Sequence, residues 1–154
     1  MNIRLTYRRS LVLLVLFSVI IAGCKSTQEG LDITDSEREA FRQTEGESVV
    51  IADEETEYEI VIIDPGFYSW LVSFARPEGY YSQTFLENRN AIYVTNWNQR
   101  VLLPAQFDTR LYEWPIDYDP KIDYGYEVNY KLYNYFIYFQ RKYNQRLGPF
   151  IPRL

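Results

Sequence analysis

Histidine is absent from the 154 residues, and cysteine occurs once, at Cys24. The first absence removes Ser-His-Asp and Cys-His catalysis, because both need an imidazole base. It also removes the ligand on which nearly every zinc or copper site depends. A lone cysteine excludes an intrachain disulfide. No G-x-S-x-G, Walker or G-x-G-x-x-G pattern occurs, so no nucleophile elbow, phosphate loop or dinucleotide site is expected. Long apolar runs are missing too. The longest, Leu11 to Ala22, has 12 residues, short of the ~20 a spanning helix needs. No cofactor and no catalytic group are expected.

The same short run explains the cysteine. Arg4, Arg8 and Arg9 precede it without an acid, and Gly23 and Cys24 follow it. A basic start, an apolar middle and small residues at the cut describe a secretory signal peptide. Ile21-Ala22-Gly23-Cys24 resembles the bacterial lipobox, with Ile at the usual Leu position. The resemblance implies that Cys24 begins the mature chain and carries palmitate-type acyl chains. Each buried CH₂ is worth ~0.8 kcal/mol, so two or three chains anchor a protein stably where one does not. Lys25 rather than Asp follows the cysteine, which points to the outer membrane. The leaflet is left open.

Charge divides the remainder. Lys25 to Glu59 holds 12 acids and three bases, and Ile60 to Leu154 holds nine acids and ten bases. The first segment has the composition of a solvated tether. The second holds 13 of the 15 tyrosines and all three tryptophans, enough to bury one core. The expected organisation is a signal peptide over 1–23, an acidic flexible tether over 24–47 and a tyrosine-rich domain over 48–154. With no concentrated basic surface, nucleic acid is not an expected partner.

Periodicity sets the fold expectation. Thr34 and Glu37 offer a capping box for a short helix over 35–43. The β-branched runs Val49 to Ile51 and Tyr58 to Ile63, with a polar turn between them, read as a hairpin. Asp64-Pro65 reads as the capped start of a helix carrying Phe67, Trp70, Leu71 and Phe74 on one stripe. A second helix over 82–102 aligns Leu86, Tyr93, Val94, Trp97 and Val101. A third, over 126–147, aligns Val128, Leu132, Phe136, Phe139, Tyr143 and Leu147. The fold class expected is α+β, mainly α: about three helices packed with a short N-terminal β-hairpin and a long turn-rich loop over 106–125.

Candidate chemistry is sparse. Asp117, Asp119 and Asp123 could offer oxygens to calcium, but Lys121 and Ile122 break the EF-hand pattern, and turn capping explains the aspartates. Asp64 and Glu87 could serve as a glycosidase pair. The remaining candidate is the edge of the 82–102 helix: Arg89, Asn90, Tyr93, Asn96, Trp97 and Arg100. It could stack and bind a sugar. Alternatively it clamps the Asp-rich loop, with Asn90 bonding the loop backbone and Arg89 or Arg100 pairing with Asp117, Asp119 or Asp123.

The stretches Tyr58 to Phe67, Gly79 to Gln83, Leu86 to Arg89, Trp97 to Val101 and Ile122 to Tyr130 resemble a family of uncharacterised envelope lipoproteins of Bacteroidetes-type bacteria. The likeness covers residues 57–150. It implies an envelope lipoprotein and carries over no site residues. The expected function is therefore a membrane-anchored lipoprotein with a non-catalytic structural or protein-interaction role, its partner another envelope protein. A glycan- or peptidoglycan-binding module is the alternative, and a two-carboxylate hydrolase ranks last.

Overall fold

The computed structural model describes residues 31–42, 49–52, 59–62 and 64–154, with the backbone alone for 49–52 and 59–62. The expected signal peptide and Cys24 lie outside the described residues. Four helices carry the fold: α1 (Asp35–Phe41), α2 (Phe67–Phe74), α3 (Gln83–Val101) and α4 (Gly125–Lys142). Among the described residues no helix is long and apolar enough to cross a membrane.

The α+β expectation is corrected. The fold is mainly helical, with four helices among the described residues where about three were expected. No strand lies among the residues whose side chains are described. The backbones of β1 (Val49–Ala52) and β2 (Glu59–Ile62) pair antiparallel, with Val50 opposite Val61. Two strands of four residues make no sheet layer, and two-stranded ribbons are marginal by themselves. The described core comes from the helices, the loop 102–124 and Leu147.

Helix α4 is the axis of that core. Leu132, Phe136 and Tyr138 are fully buried, and Val128 and Phe139 nearly so. The apolar stripe read from the sequence packs on α3 through Phe136 and Phe139; Tyr133 packs on Phe85 and Tyr93 of the same helix, and Tyr138 on Phe67 and Trp70 of α2. Tyr93 packs on Phe136 and Trp97 on Phe139, with ring centroids 5.4 and 4.8 Å apart. Asn90 meets Asn129, and Arg100 meets Gln145. Residue numbers climb together along both helices, so α3 and α4 run in the same direction. Parallel neighbours need a long return connection, which the turn-rich loop supplies. Helix α2 runs the other way: Phe67 packs on Tyr138, and Tyr130 donates to the Arg76 carbonyl at 2.7 Å.

Helix ends depart from the sequence pattern for local reasons. Helix α4 stops at Lys142 rather than 147, because Asn144 takes a left-handed φ of 49°. Asn is among the few residues that tolerate this region. Leu147 is nevertheless fully buried; its N–H donates to Gln140 Oε1 at 2.7 Å. Helix α2 is capped by Gly66, not by Asp64. Thr34 caps α1, accepting from the Glu37 N–H at 3.2 Å. The Glu37 carboxylate does not return to Thr34 to close a capping box; it points into the core, with no exposure.

That inward turn changes the reading of the acidic segment. Arg141 binds Glu37 through Nε and Nη2, both at 2.6 Å. Its Nη2 also donates to the Asp32 carbonyl at 2.7 Å, and Nη1 to Pro152 at 2.9 Å. Residues 32–41, expected within a flexible tether, are thus docked on the domain. Composition misled here because the other acids of α1, Asp35 and Glu39, are exposed and pair with Arg38 and Arg42.

Candidate functional site

Ser82 opens α3 by accepting the Phe85 N–H, and the helix then runs without a break to Val101. Its regular turn brings Arg89, Asn90, Tyr93, Asn96, Trp97 and Arg100 onto adjoining faces. They do not converge on one point. Asn90 is fully buried. Its amide donates to the Asn129 carbonyl at 3.0 Å and to Asn129 Oδ1 at 3.1 Å. The expected partner was the backbone of the 108–123 loop; the partner is helix α4. The loop contributes the Tyr118 hydroxyl, which donates to the same Asn129 oxygen at 2.9 Å.

Arg100 is committed internally. It donates to the Tyr112 hydroxyl, to Gln145 Oε1 and to the Arg146 carbonyl. Its guanidinium also lies 4.8 Å from the Phe107 ring centre. Arg89 lies against Phe150 and Phe85, a cation on aromatic faces. The expected pairing of either arginine with Asp117, Asp119 or Asp123 is not among its contacts. The loop aspartates serve turns instead. Asp119 accepts from the Lys121 N–H and Asp123 from the Gly125 N–H, both at 2.9 Å. An aspartate satisfies its own backbone two residues on more readily than it recruits a distant cation. Carbonyls just past a helix C-terminus attract a cation in turn, which is where Arg100 reaches.

The loop is held by Asn98, which was not among the candidate residues of this helix. Asn98 donates to the Ile116 carbonyl at 2.9 Å and accepts from the Ile116 N–H at 2.8 Å. Trp97 adds its indole N–H to the Trp114 carbonyl at 2.9 Å. Asn98 lies one position beyond Trp97; that adjacency was the available signal. Asn96 spends its amide on the Ile92 carbonyl of its own helix. Tyr93 is buried, and burial raises its phenol above the ordinary value.

A second polar cluster gathers where α2 begins and α4 ends. Asp64 Oδ1 accepts from Tyr138 at 2.7 Å and from Lys142 at 2.8 Å, and Oδ2 from Tyr143 at 3.2 Å. Burial pushes Tyr143 up to about 12, with the Asp64 charge adding to it. Burial and the same carboxylate hold Tyr138 well above the phenol range. A raised phenol stays protonated at neutral pH and is neither a nucleophile nor a base poised near neutrality. The cluster is built as a bolt between helices.

The chain belongs to DUF6146. This family of unknown function matches residues 11–150. No curated protein and no solved structure matches the chain. In this DUF6146 protein the proposed carboxylate pair cannot cooperate. Glu87 shares the Gln83 amide with Asp123, next to the start of α4, whereas Asp64 is bound to Tyr138. From Gly125 to Tyr138 the helix rises ~20 Å, against the roughly 5–10 Å a glycosidase pair spans. Among the described residues no group of three or more acidic or thiol side chains could hold a metal ion. Among the described residues the exposed large apolar side chains are Tyr68 and Val72 on α2, Tyr80 before α3, and Leu102, Leu103 and Trp114 beyond it.

Proposed function

We propose that this DUF6146 member is an envelope lipoprotein, held at the outer membrane by lipid on Cys24, whose domain has a non-catalytic structural or protein-interaction role. The observation that carries the reading is the commitment of its charges. Glu37, Asp64, Arg100, Arg141 and Lys142 are all held by partners within the domain. A substrate site would present some of them to a cleft. The resemblance to Bacteroidetes-type lipoproteins and the lipobox-like Ile21 to Cys24 support the location. A glycan-binding role is the second reading. The observation that favours it is Trp114, 78 % exposed, since an exposed indole face can stack on a sugar.

The test has two parts. Wild-type protein and Cys24→Ala are compared by detergent partitioning and by metabolic labelling with an alkynyl fatty acid. The wild type should carry label and partition with detergent, and the variant should do neither. Equal behaviour of the two would refute the anchor. A photo-crosslinking amino acid is then placed at Tyr68 in living cells. A single discrete protein adduct supports the interaction role. Its absence, with retention of the protein on isolated peptidoglycan in a Trp114-dependent way, would replace that role with glycan binding.

A further inference from the structure

We infer that Arg89 is the centre of an anion site on α3, which takes a carboxylate from outside the domain. The inference stands apart from the anchor proposed for Cys24 and from any catalytic role.

The starting point is a missing partner. Nη1 of Arg89 is shut away from water and has no hydrogen-bond acceptor. No carboxylate among the described residues pairs with this guanidinium; the ion pairs are made by Arg38, Arg42, Arg110, Lys131, Arg141 and Lys142. The other arginine of the same helix, Arg100, is satisfied by Tyr112, Gln145 and the Arg146 carbonyl. A buried polar group without a partner costs free energy, and a charged one costs more. In a native fold it marks a place where an ion or a water belongs.

The surroundings hold the guanidinium without neutralising it. Its central carbon lies 3.2 Å from the Phe150 ring centre and 5.0 Å from that of Phe85. Tyr81 stacks on Phe85 at 4.7 Å, and Tyr133 meets both rings edge-on at 5.3 and 5.8 Å. Tyr93 completes the cluster, 6.5 Å from Phe150. Ring faces attract a cation, but they take no N–H that lies in the guanidinium plane. The phenols supply no charge either. Burial raises both Tyr93 and Tyr133, and the Arg89 charge merely opposes that rise, so both stay protonated at neutral pH.

Stacking covers the faces of the fork and leaves its edge. That is the arrangement in which arginine binds two oxygens of one planar anion. Arg89 as a whole is half-buried, so the fork lies near the surface. Phe150 is the wall free of helical constraint: it follows Gly148 and Pro149 in the irregular chain beyond α4, whereas Phe85 and Tyr93 are set in α3. Among anions a carboxylate fits better than phosphate. Its single charge costs less to bring among aromatic rings, and its two oxygens match the fork.

The experiment uses the full chain in nonionic detergent, labelled with nitrogen-15 and held at constant ionic strength. Sodium acetate and, separately, sodium phosphate are titrated, with sodium chloride as the control, and the Arg89 Nε–H resonance is followed. The expected result is a saturable shift with acetate, reached at lower concentration than with phosphate. Arg89→Lys keeps a cation against the rings but lacks the fork, so its affinity for acetate, followed on the neighbouring backbone amides, should fall at least ~10-fold. A wild-type response to acetate no larger than that to chloride would mean a buried water only and would overturn the site. Tighter saturation by phosphate would overturn the choice of carboxylate. Equal acetate affinity in Arg89→Lys would overturn the role of the fork. If the lysine variant fails to fold, the wild-type titration decides by itself.

Discussion

Replacing Arg141 by methionine should destabilise the domain more than any other single change to a charged residue. Arg141 and Glu37 are 5 % and 0 % exposed at their side chains. Removing the arginine leaves a carboxylate in the core with the Trp70 indole as its remaining donor, at 3.0 Å. Breaking a buried pair from one side costs ~3–5 kcal/mol. Loss of the bonds to the Asp32 and Pro152 carbonyls adds to this where water does not replace them. For a domain of this size, 3–5 kcal/mol corresponds to roughly 10–20 °C in Tm. The double replacement Glu37→Met with Arg141→Met should recover most of the loss, since a buried pair exchanged for apolar groups of similar volume is often neutral. Thermal and urea denaturation of the three variants and the wild type measures both quantities. A single-variant loss below ~1 kcal/mol, the range of exposed ion pairs, would show that α1 is not docked. A double variant as unstable as the single one would show that packing rather than charge holds the junction.

Other outcomes follow from the same contacts. Gly66→Ala should lose ~1–3 kcal/mol through overpacking, because a Cβ there would stand 2.7 Å from the Tyr138 hydroxyl and 2.8 Å from the Ala40 carbonyl; unchanged denaturation would refute the close approach. Asn98→Ala should leave the Ile116 amide and carbonyl unpaired, at a cost of ~1–3 kcal/mol, and should raise amide exchange across the loop while Asn96→Ala does not; equal exchange in both variants would contradict the clamp. Alkaline titration should expose the buried phenols. Tyr118 and Tyr143 are each raised to about 12, against ~10 in an unfolded chain. The folded state then holds protons that the unfolded state releases, so stability is fully present below pH ~10 and falls as pH rises through 12. Ionisation of these tyrosines near pH 10 in an intact fold would refute their burial.

How much could be read beforehand depended on how local the determining contacts are. The stripes of α3 and α4 were legible because Leu86, Tyr93, Val94 and Trp97 repeat on one face and are buried on it. Asn90 lies on the same helix and is buried with them. Its partner was not legible, because Asn129 lies 39 positions away on another helix. The segment of helix α1 was assigned to the tether since its exposed charges dominate its composition, while the contacts that dock it are distant: Phe41 packs on Tyr138, and Glu37 finds Arg141 104 positions later. Asp64 looked like a cap because cap chemistry is local; its carboxylate does accept from the Gly66 N–H at 3.4 Å, and it also serves Tyr138, Lys142 and Tyr143, which no local pattern registers. The overrun of α4 to 147 has the opposite origin. Leu147 keeps the stripe and the burial, and the break at Asn144 is a backbone event that side-chain periodicity does not register.

Intact mass spectrometry of the protein purified from membranes tests the anchor at Cys24 in one measurement. The expected result is a chain that begins at Cys24 and carries the mass of two or three acyl chains. An unmodified chain retaining residues 1–23, or one cut elsewhere with a free thiol at Cys24, would contradict it.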